Sequence, residues 1–263
     1  MPEGDTIFRA ARTLNEALAG RTVTRFESVF AQLTRFDGAS PLLGRTIERV
    51  DARGKHLLIW FSGDLVLRTH MRMHGSWHVY RPGERWQRSR ADMRIVLGTV
   101  KYEAVAFSVP VAELTTKREL ERSAPLRDLG PDILAPDFVV DDVVERLQRM
   151  PDVEIGDALL DQSVVAGIGN IFKSESLFAA RVNPFAHVGE LSRHHLVRIV
   201  EAAHRLMRAS AIRRPAEGFA VYGRSRRSCR RCGTLILGRK QGERARVTYW
   251  CAQCQRRTVA PAE

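Results

Sequence analysis

The stretch Cys229-Arg230-Arg231-Cys232, together with Cys251-Ala252-Gln253-Cys254, decides how the last part of the chain folds. These Cys-x2-Cys pairs are separated by 18 residues and contain all four cysteines of the sequence. Four thiolates at this spacing are typical of a zinc ribbon, in which Zn2+ is held tetrahedrally and no ligand position is left for a substrate. Because the sequence carries no secretory signal, two disulfides are the weaker explanation. We therefore expect Cys229, Cys232, Cys251 and Cys254 to bind one structural zinc ion.

The segment between the two cysteine pairs predicts a β-hairpin with strands at residues 234–237 and 246–250. A hairpin this short buries little apolar surface, so it needs the metal at its base to stay folded. The surrounding region is strongly basic, because residues 224–263 contain eleven Lys and Arg but only two Glu. The formal charge of the whole chain is +12, so three quarters of the excess lies in this region. This distribution predicts a polyanionic partner.

Outside the hairpin, the pattern changes from strands to helices along the chain. Short segments separated by turns predict a β-sandwich or barrel, at residues 22–30, 46–51, 56–61, 64–69, 76–80, 93–97 and 101–107. A first helix precedes them, with Asp5 or Thr6 as its cap and Gly20 as its stop. A proline-bearing linker at 125–136 is followed by predicted helices at 141–150, 155–163, 171–181 and 192–212. The sequence has no run of transmembrane length and no signal peptide, so we expect a soluble intracellular protein.

The sequence opens with Met1-Pro2-Glu3-Gly4-Asp5, which runs directly into the first predicted helix. Removal of Met1, which a small second residue permits, leaves a secondary amine on Pro2 beside the carboxylate of Glu3. A neutral amine attacks electrophilic carbon, and a neighbouring carboxyl group can move the proton that the attack requires. The positive end of the following helix disfavours protonation of the amine. These two residues therefore predict a covalent catalyst.

A glycine-bearing turn, Ala166-Gly167-Ile168-Gly169-Asn170, leads into the third of the later helices. Glycines let the backbone approach a ligand closely, and the amides at a helix N-terminus favour phosphate. Taken alone, this turn also fits an ordinary connection between two helices.

These motifs together resemble the formamidopyrimidine-DNA glycosylase and endonuclease VIII family of base-excision repair enzymes. The resemblance rests on Met1-Pro2-Glu3-Gly4, on Arg53-Gly54-Lys55-His56-Leu57-Leu58, on Leu129-Gly130-Pro131-Asp132, on the stretch from Asp161 to Glu175, and on the cysteine hairpin. It implies an α+β fold in three parts. These are an N-terminal two-layered β-sandwich with flanking helices (residues 1–130), a helical helix-two-turns-helix domain (131–223) and a zinc-finger β-hairpin (224–263), with DNA held in the cleft between them.

The resemblance also implies roles for individual residues. Pro2 corresponds to the nucleophile that attacks C1′ of the damaged nucleotide, and Glu3 to the acid and base that assists base loss and opening of the sugar ring. Lys55 corresponds to a lysine near the phosphates of the lesion, and Asn170 to a phosphate-binding asparagine, although it can also cap its helix. Arg246 corresponds to the hairpin arginine that holds the backbone; the choice of Arg246 over Arg244 rests on its five-residue offset from Cys251.

The loop Met71-Arg72-Met73-His74-Gly75 lies where the family inserts the side chains that fill the gap left by an everted nucleotide. Met73 would be the apolar wedge, and Arg72 and His74 would flank it. A surface turn between two strands is the alternative reading. The three residues differ from the glutamine-leucine-tyrosine set of well-known endonuclease VIII members, which leaves the preference for the opposite base open.

The function implied is that of a bifunctional DNA glycosylase and AP lyase that removes oxidised pyrimidines and cleaves the strand by β,δ-elimination through a Schiff base on Pro2. Neither a redox cofactor nor Mg2+ is required. We expect damaged DNA as the partner, no membrane partner, a monomer, and a location in the bacterial cytoplasm associated with the nucleoid.

Two features favour the endonuclease VIII branch: the Met-Pro-Glu-Gly start, and a stretch at 222–228 that is too short for a long base-capping loop. A formamidopyrimidine or 8-oxoguanine glycosylase is the alternative. A zinc-ribbon DNA-binding protein without catalysis would explain the basic hairpin but not Pro2 and Glu3. A proline-nucleophile tautomerase would explain Pro2 and Glu3 but not the basic hairpin.

Overall fold

The structure of the chain is a computed structural model that describes residues 2–213, 218–243 and 245–256. Met1 and Arg244, which were both considered above, lie outside the described residues. The chain divides into two compact units, Met1–Arg127 and Asp128–Glu263. The finer division at residues 130 and 223 stays a prediction.

Within its described residues, the first unit contains two antiparallel sheets and four α-helices. The helices are α1 (Gly4–Leu18), α2 (Ala31–Ala39), α3 (Lys117–Arg122) and α4 (Ala124–Arg127). The strands are β1 (Arg21–Thr22), β2 (Arg25–Ser28), β3 (Thr46–Arg53), β4 (His56–Phe61), β5 (Leu65–His70), β6 (Ser76–Tyr80), β7 (Met93–Gly98), β8 (Glu103–Phe107) and β9 (Val111–Thr116). One sheet has the order β1-β3-β4-β5-β9 and the other β2-β7-β8-β6.

The core of this unit lies between the two sheets and under α1. Leu57 and Ile59 of β4 and Ile95 and Leu97 of β7 are fully buried in one apolar cluster, which Ile7 of α1 also joins. Alternate residues of a strand point to the same face, so each sheet contributes every second side chain to this cluster. The predicted two-layered β-sandwich within an α+β fold is confirmed.

Three predictions for this unit were wrong in detail. The single strand at 22–30 is two short strands, because β1 pairs with β3 in one sheet and β2 pairs with β7 in the other. The helix α1 begins at Gly4 with Glu3 as its N-cap, so neither Asp5 nor Thr6 caps it. Helix α2 and strand β9 were not predicted, and the proposed linker at 125–136 includes most of α4.

The part of the second unit that the structure describes contains helices and one hairpin. The helices are α5 (Val140–Gln148), α6 (Ile155–Ala158), α7 (Asn170–Ala180) and α8 (Arg193–Ile212). The hairpin consists of β10 (Ile236–Gln241) and β11 (Arg246–Cys251), which pair antiparallel with Gln241 opposite Arg246. The predicted strand at 246–250 is confirmed. The one at 234–237 was displaced, because Leu235 pairs with Ser228 beside the first cysteine pair, before β10 begins.

Two side chains explain why the motif from Asp161 to Glu175 folds as it does. The amide of Gln162 donates to the carbonyl oxygens of Leu160 and Ile168 and accepts from the backbone N–H of Gly167. This network ends the predicted helix 155–163 early, so that α6 stops at Ala158. The buried carboxylate of Glu175 accepts the three backbone N–H groups of residues 220–222 at 2.8 to 2.9 Å. It thereby ties α7 to the segment that precedes the cysteines.

No helix within the described ranges is both long enough and apolar enough to cross a membrane.

Candidate functional site

Pro2 and Glu3 lie at the beginning of α1. Pro2 is half-buried, and the side chain of Glu3 is fully buried although it is a carboxyl group. The carbonyl oxygen of Glu3 accepts the N–H groups of Thr6 and Ile7 at 2.9 and 3.0 Å, so the first turn of the helix fixes the backbone of this residue. The acid-base role of Glu3 beside Pro2 stays a prediction, which a buried carboxyl group at the N-terminus of a helix fits.

Lys55 lies in the two-residue turn that joins β3 to β4. Gly54, the first residue of the turn, has φ = +58°, a conformation that a residue with a side chain rarely adopts. Arg53 and His56 face each other across the turn. The turn therefore fixes the backbone of the half-buried Lys55 from both sides.

A buried polar cluster lies beside Lys55. His56 and His70 are opposite each other on β4 and β5, with ring centroids 4.9 Å apart and the rings edge to face. The Nδ1 atom of His56 accepts from Nη1 of Arg68 at 3.2 Å. Arg68 in turn donates from Nε and Nη2 to one carboxylate oxygen of Glu113 on β9, at 2.9 and 2.6 Å. The ion pair of Arg68 and Glu113 thus links β5 to β9, and the hydrogen bond from Arg68 to His56 links β5 to β4.

Both histidines stay neutral over the physiological range. Burial, followed by repulsion from His70 when it too is protonated and from the charge of Arg68, lowers the pKa of His56 to about 3. Burial, followed by the charges of Arg72, Lys55 and Arg68, lowers the pKa of His70 to about 4. The Nδ1 atom of His70 accepts the backbone N–H of Arg72 at 3.1 Å, so a neutral His70 carries its proton on Nε2. Nε2 of a neutral His70 is thus a hydrogen-bond donor.

The loop 71–75 follows β5 directly and has a defined shape. Arg72 has φ = +51°, and the N–H of Gly75 donates to the carbonyl oxygen of Met71 at 2.9 Å. A Cβ atom on Gly75 would lie 2.5 Å from that oxygen, so only glycine fits here. The side chains of Arg72, Met73 and His74 are exposed, and Met73 keeps 53% of its accessible area although it is apolar. This geometry therefore fits both interpretations of the loop, a surface turn between two strands and a loop that inserts side chains into DNA.

In the second unit, the structure brings Asn170 and the strand of Arg246 together. Asn170 is the first residue of α7, and Gly169 is its N-cap, so the side chain of Asn170 does not cap the helix. Its Nδ2 instead donates to the carbonyl oxygen of Val247 at 2.7 Å, next to the half-exposed Arg246. Oδ1 of Asn170 is buried, and no hydrogen-bond partner for it lies within the described residues.

The four cysteines form one cluster at the open end of the hairpin. Their Sγ atoms all lie within 4.8 Å of one another, with 3.5 Å between Cys232 and Cys251 and 4.0 Å between Cys229 and Cys254. These distances are too long for disulfide bonds. Four thiolates around a tetrahedral Zn2+ with Zn–S bonds of about 2.3 Å have their sulfur atoms about 3.8 Å apart. The cluster therefore fits a metal ion of this kind.

Two groups of buried polar residues were missed by the sequence analysis. His56 follows Lys55 within a motif that was recognised, but its contact with Arg68 depends on the register of β4 and β5, which the pattern of apolar residues does not fix. Lys173 lies within the motif from Asp161 to Glu175 and is fully buried. Its position on an apolar face of the helix was the signal in the sequence that could have indicated its burial.

The comparisons with known proteins agree with this architecture. The model of the formamidopyrimidine-DNA glycosylase N-terminal domain matches residues 1–109, and that of the formamidopyrimidine-DNA glycosylase H2TH domain matches residues 129–222. A "Probable endonuclease 8 2" of Streptomyces coelicolor is 41% identical over 97% of this chain and 94% of its own length. The chain belongs to the formamidopyrimidine-DNA glycosylase and endonuclease VIII family.

Within this family, the chain is also similar to a protein named DNA-(apurinic or apyrimidinic site) lyase Nei2 from Mycolicibacterium smegmatis. The two are 35% identical over 97% of this chain and 99% of the relative. A crystal structure of Lactococcus lactis formamidopyrimidine DNA glycosylase bound to DNA with an AP site has a TM-score of 0.85, covering 97% of this chain and 100% of that chain. At 21% identity, this likeness shows the fold alone. The relatives in sequence carry endonuclease 8 or Nei names, as the Met-Pro-Glu-Gly start predicted.

Proposed function

We propose that this chain is a bifunctional DNA glycosylase and AP lyase that acts on oxidised pyrimidines in damaged DNA. The observation that carries the proposal is the position of Pro2 next to the fully buried carboxyl group of Glu3 at the beginning of α1. Glycosylase and lyase activity is the activity of the family. The lesion class and the roles of the individual residues are the finer parts of the proposal.

The chemistry begins when removal of Met1 leaves a free secondary amine on Pro2. Its nitrogen bonds to C1′ of the damaged nucleotide, the N-glycosidic bond breaks with its electron pair on the base, and a proton is delivered to the leaving group. The amine loses its own proton and the sugar ring opens, which gives an iminium ion between the proline nitrogen and C1′. Glu3 is the acid and base for these transfers.

The iminium ion acidifies the protons on C2′. Loss of one of them expels the 3′ phosphate by β-elimination, and a second elimination expels the 5′ phosphate. Lys55 is close enough to His70 for its charge to lower the pKa of that histidine. We assign both residues to the phosphates beside the lesion, since a cation and a neutral N–H donor both suit a phosphate oxygen.

The second unit holds the DNA backbone in this proposal. Asn170 and Arg246 contact a phosphate group, and the basic hairpin adds affinity without reading the bases. The cluster of Cys229, Cys232, Cys251 and Cys254 holds one Zn2+, which supplies no chemistry and fixes the shape of the hairpin. Residues 131–223 and 224–263 act as separate parts of this grip, as the domain boundaries predict.

The loop 71–75 fills the gap that an everted nucleotide leaves. Met73 is exposed and apolar, which suits a wedge between bases, and the glycine-dependent turn holds it in place. Arg72 and His74 flank it. We keep the monomeric state and the location in the cytoplasm near the nucleoid as predictions.

The test of the proposed chemistry is covalent trapping with borohydride. The purified protein, with loss of Met1 verified by mass spectrometry, is incubated with duplex DNA containing 5-hydroxyuracil and is expected to become attached to the DNA. Pro2→Gly, and a variant with an added residue before Pro2, should lose the adduct while still binding the DNA. An adduct that survives both changes would assign the nucleophile to another residue.

The second candidate function is a formamidopyrimidine or 8-oxoguanine glycosylase, which the descriptions of the two matching family models favour. A panel with thymine glycol, 5-hydroxyuracil, dihydrouracil and 8-oxoguanine, in single and double strands, separates the two. Faster excision of the pyrimidines supports the proposal. Faster excision of 8-oxoguanine contradicts it.

A further inference from the structure

The side chain of Lys173 on α7 is fully buried and reaches the hairpin. Its Nζ donates to Oγ1 of Thr248 on β11 at 2.5 Å, and Thr248 is also fully buried. Burying an ammonium group is costly unless polar partners replace its water. A lysine at this buried position therefore indicates that its polar contact with Thr248 is needed, because an apolar side chain could not make that contact.

The polar contact continues through the hairpin. Oγ1 of Thr248 donates to Oε1 of Gln241 on β10 at 2.6 Å. Nε2 of Gln241 donates to Glu154 at 2.8 Å and to the carbonyl oxygen of Pro184 at 2.9 Å. A chain of hydrogen bonds thus runs from Lys173 across both strands and back to the helical part. Because each member has a partner, the chain specifies one position of the hairpin.

The backbone around this chain is packed closely. A Cβ atom on Gly156 would lie 2.5 Å from the amide oxygen of Gln241, and one on Gly242, where φ = +65°, would clash with the carboxylate of Asp157. Burial, with a smaller contribution from Glu154, raises the pKa of Asp157, and the charge of Lys173 acts against that increase. The end of the hairpin near Arg246 therefore rests on acidic groups and a buried cation.

These contacts lie next to the two residues that bind DNA in the proposed function, Asn170 and Arg246. Asn170 and Lys173 are one turn apart on α7 and lie on the same face of the helix. They bond to neighbouring residues of β11, Asn170 to the carbonyl oxygen of Val247 and Lys173 to the side chain of Thr248. Arg246 and Thr248 share a face of the strand, since side chains two residues apart point the same way.

We propose that Lys173 is a positioning residue that fixes β11 on α7, so that Arg246 and Asn170 bind the same segment of the DNA backbone. Lys173 does not contact the DNA itself. It acts through Thr248, and its effect on binding passes through Arg246. The inference rests on the proposed function, because it takes Arg246 as a contact to phosphate.

The experiment is a double-mutant cycle on binding to duplex DNA that contains a stable tetrahydrofuran abasic analogue. Thr248→Val removes the hydroxyl group at nearly constant volume, and Thr248→Ser is the matched control that keeps it. We expect Thr248→Val and Lys173→Met each to weaken binding by about tenfold, the effect of one lost charged hydrogen bond. Thr248→Ser should bind like the wild type.

The coupling with Arg246 separates positioning from a purely structural role. Arg246→Ala should weaken binding by about tenfold in the wild type, but by much less in the Thr248→Val background, because the arginine is already misplaced there. Thermal unfolding of each variant shows whether stability changes in parallel. Additive effects of Thr248→Val and Arg246→Ala would overturn the inference, as would wild-type binding by Thr248→Val.

If Lys173→Met does not fold, the comparison of Thr248→Val with Thr248→Ser still decides the question. Borohydride trapping of the wild type reports on the proposed chemistry in a separate arm. Trapping together with an additive cycle overturns the positioning role alone. No trapping together with a non-additive cycle overturns the proposed chemistry and supports the positioning role in DNA binding.

Discussion

The two ends of the chain hold their functional residues in different ways. Pro2, Glu3 and Lys55 lie on a β-sandwich whose core is a large apolar cluster from both sheets and α1. The hairpin of β10 and β11 has only a small cluster, formed by Ile236 with Phe178, Val221, Cys229 and Cys251. Its shape depends on thiols and on hydrogen bonds to the helices.

This difference indicates that the chemistry and the grip on DNA can be removed separately. Burial of apolar side chains stabilises the sandwich whether or not its reactive groups are present. A hairpin with little apolar burial keeps its shape only while its cross-links are intact. Substitutions at the N-terminal end should therefore alter the reaction without changing the fold. Substitutions in the hairpin should change its fold and leave the reactive groups in place.

Removal of the metal should have the largest effect. Metal binding to a structural site of four cysteines contributes on the order of 10 kcal/mol to folding of an isolated zinc finger. We expect Cys251→Ser, or treatment with a strong chelator, to unfold the hairpin and weaken binding to all DNA sequences. The fluorescence of Trp250, which packs edge to face on Phe185, should report the loss.

The control for this experiment is the first unit. Its circular-dichroism signal from β-structure should persist after chelation, and added zinc should restore DNA binding. If Cys251→Ser kept its full affinity for DNA, the hairpin would not contribute to DNA binding.

Glu3→Gln should have the next largest effect. The amide keeps the volume of the buried side chain but cannot transfer a proton, so base excision in a single turnover should decrease by about 10² to 10⁴. Binding to DNA with an abasic analogue should be nearly unchanged. Glu16→Gln, an exposed carboxylate on the same helix, is the matched control and should leave the rate unaltered. Undiminished excision by Glu3→Gln would exclude Glu3 from the reaction.

Gly75→Ala tests whether the loop 71–75 needs its close approach to Met71. The added Cβ atom would lie 2.5 Å from a backbone oxygen, so we expect a loss of about 1 to 3 kcal/mol in the free energy of unfolding. Slower excision from duplex DNA should accompany it. Gly38→Ala is the control: no atom lies within 4 Å of the added Cβ in α2, and stability should stay equal or rise by about 1 kcal/mol. Equal stability of the two variants would contradict the role of the turn.

A dependence of stability on pH is also expected in the first unit. The folded pKa values of His56 and His70 are about 3 and about 4, whereas a histidine in an unfolded chain titrates near 6.5. Between these values the unfolded state binds more protons, so the free energy of unfolding decreases as the pH falls from about 6.5 toward 4.

Each histidine contributes a slope of up to about 1.4 kcal/mol per pH unit. His56→Asn keeps an acceptor for Arg68 but cannot be protonated, so urea titrations from pH 7 to pH 4.5 should give a shallower slope for this variant. An identical slope would mean that His56 is already accessible to protons in the folded state.

The pattern of apolar residues within a segment was enough to predict those elements whose side chains follow it. The apolar run of β4 and the apolar pattern of β6 gave their bounds, 56–61 and 76–80, because both strands put apolar residues on a core face. Helix α2 was missed because it buries only Leu33 and so shows no helical period. Strand β9 was missed because it is an edge strand with polar residues on one face. Its pairing with β5 defines it.

The functional residues divide in the same way. The cysteine cluster and the proposed pair of Pro2 and Glu3 were readable in the sequence because the chemistry expected of each depends on neighbours in the chain. The cluster of His56, Arg68 and Glu113 was not, since it joins three strands whose register the sequence leaves open. Lys173 looked like an ordinary helix residue until Thr248, 75 positions away, was placed beside it.

The sequence by itself determined the family, the α+β class and the cysteine cluster, and it gave the prediction that Pro2 and Glu3 are reactive, because each follows from residue type and short spacing. Tertiary structure alone decided that the segment 22–30 changes sheets, that His70 holds the N–H of Arg72, and that a buried ammonium supports the strand of Arg246. The physical reason is that burial and hydrogen bonds between distant segments depend on packing and register, and local propensity does not encode these.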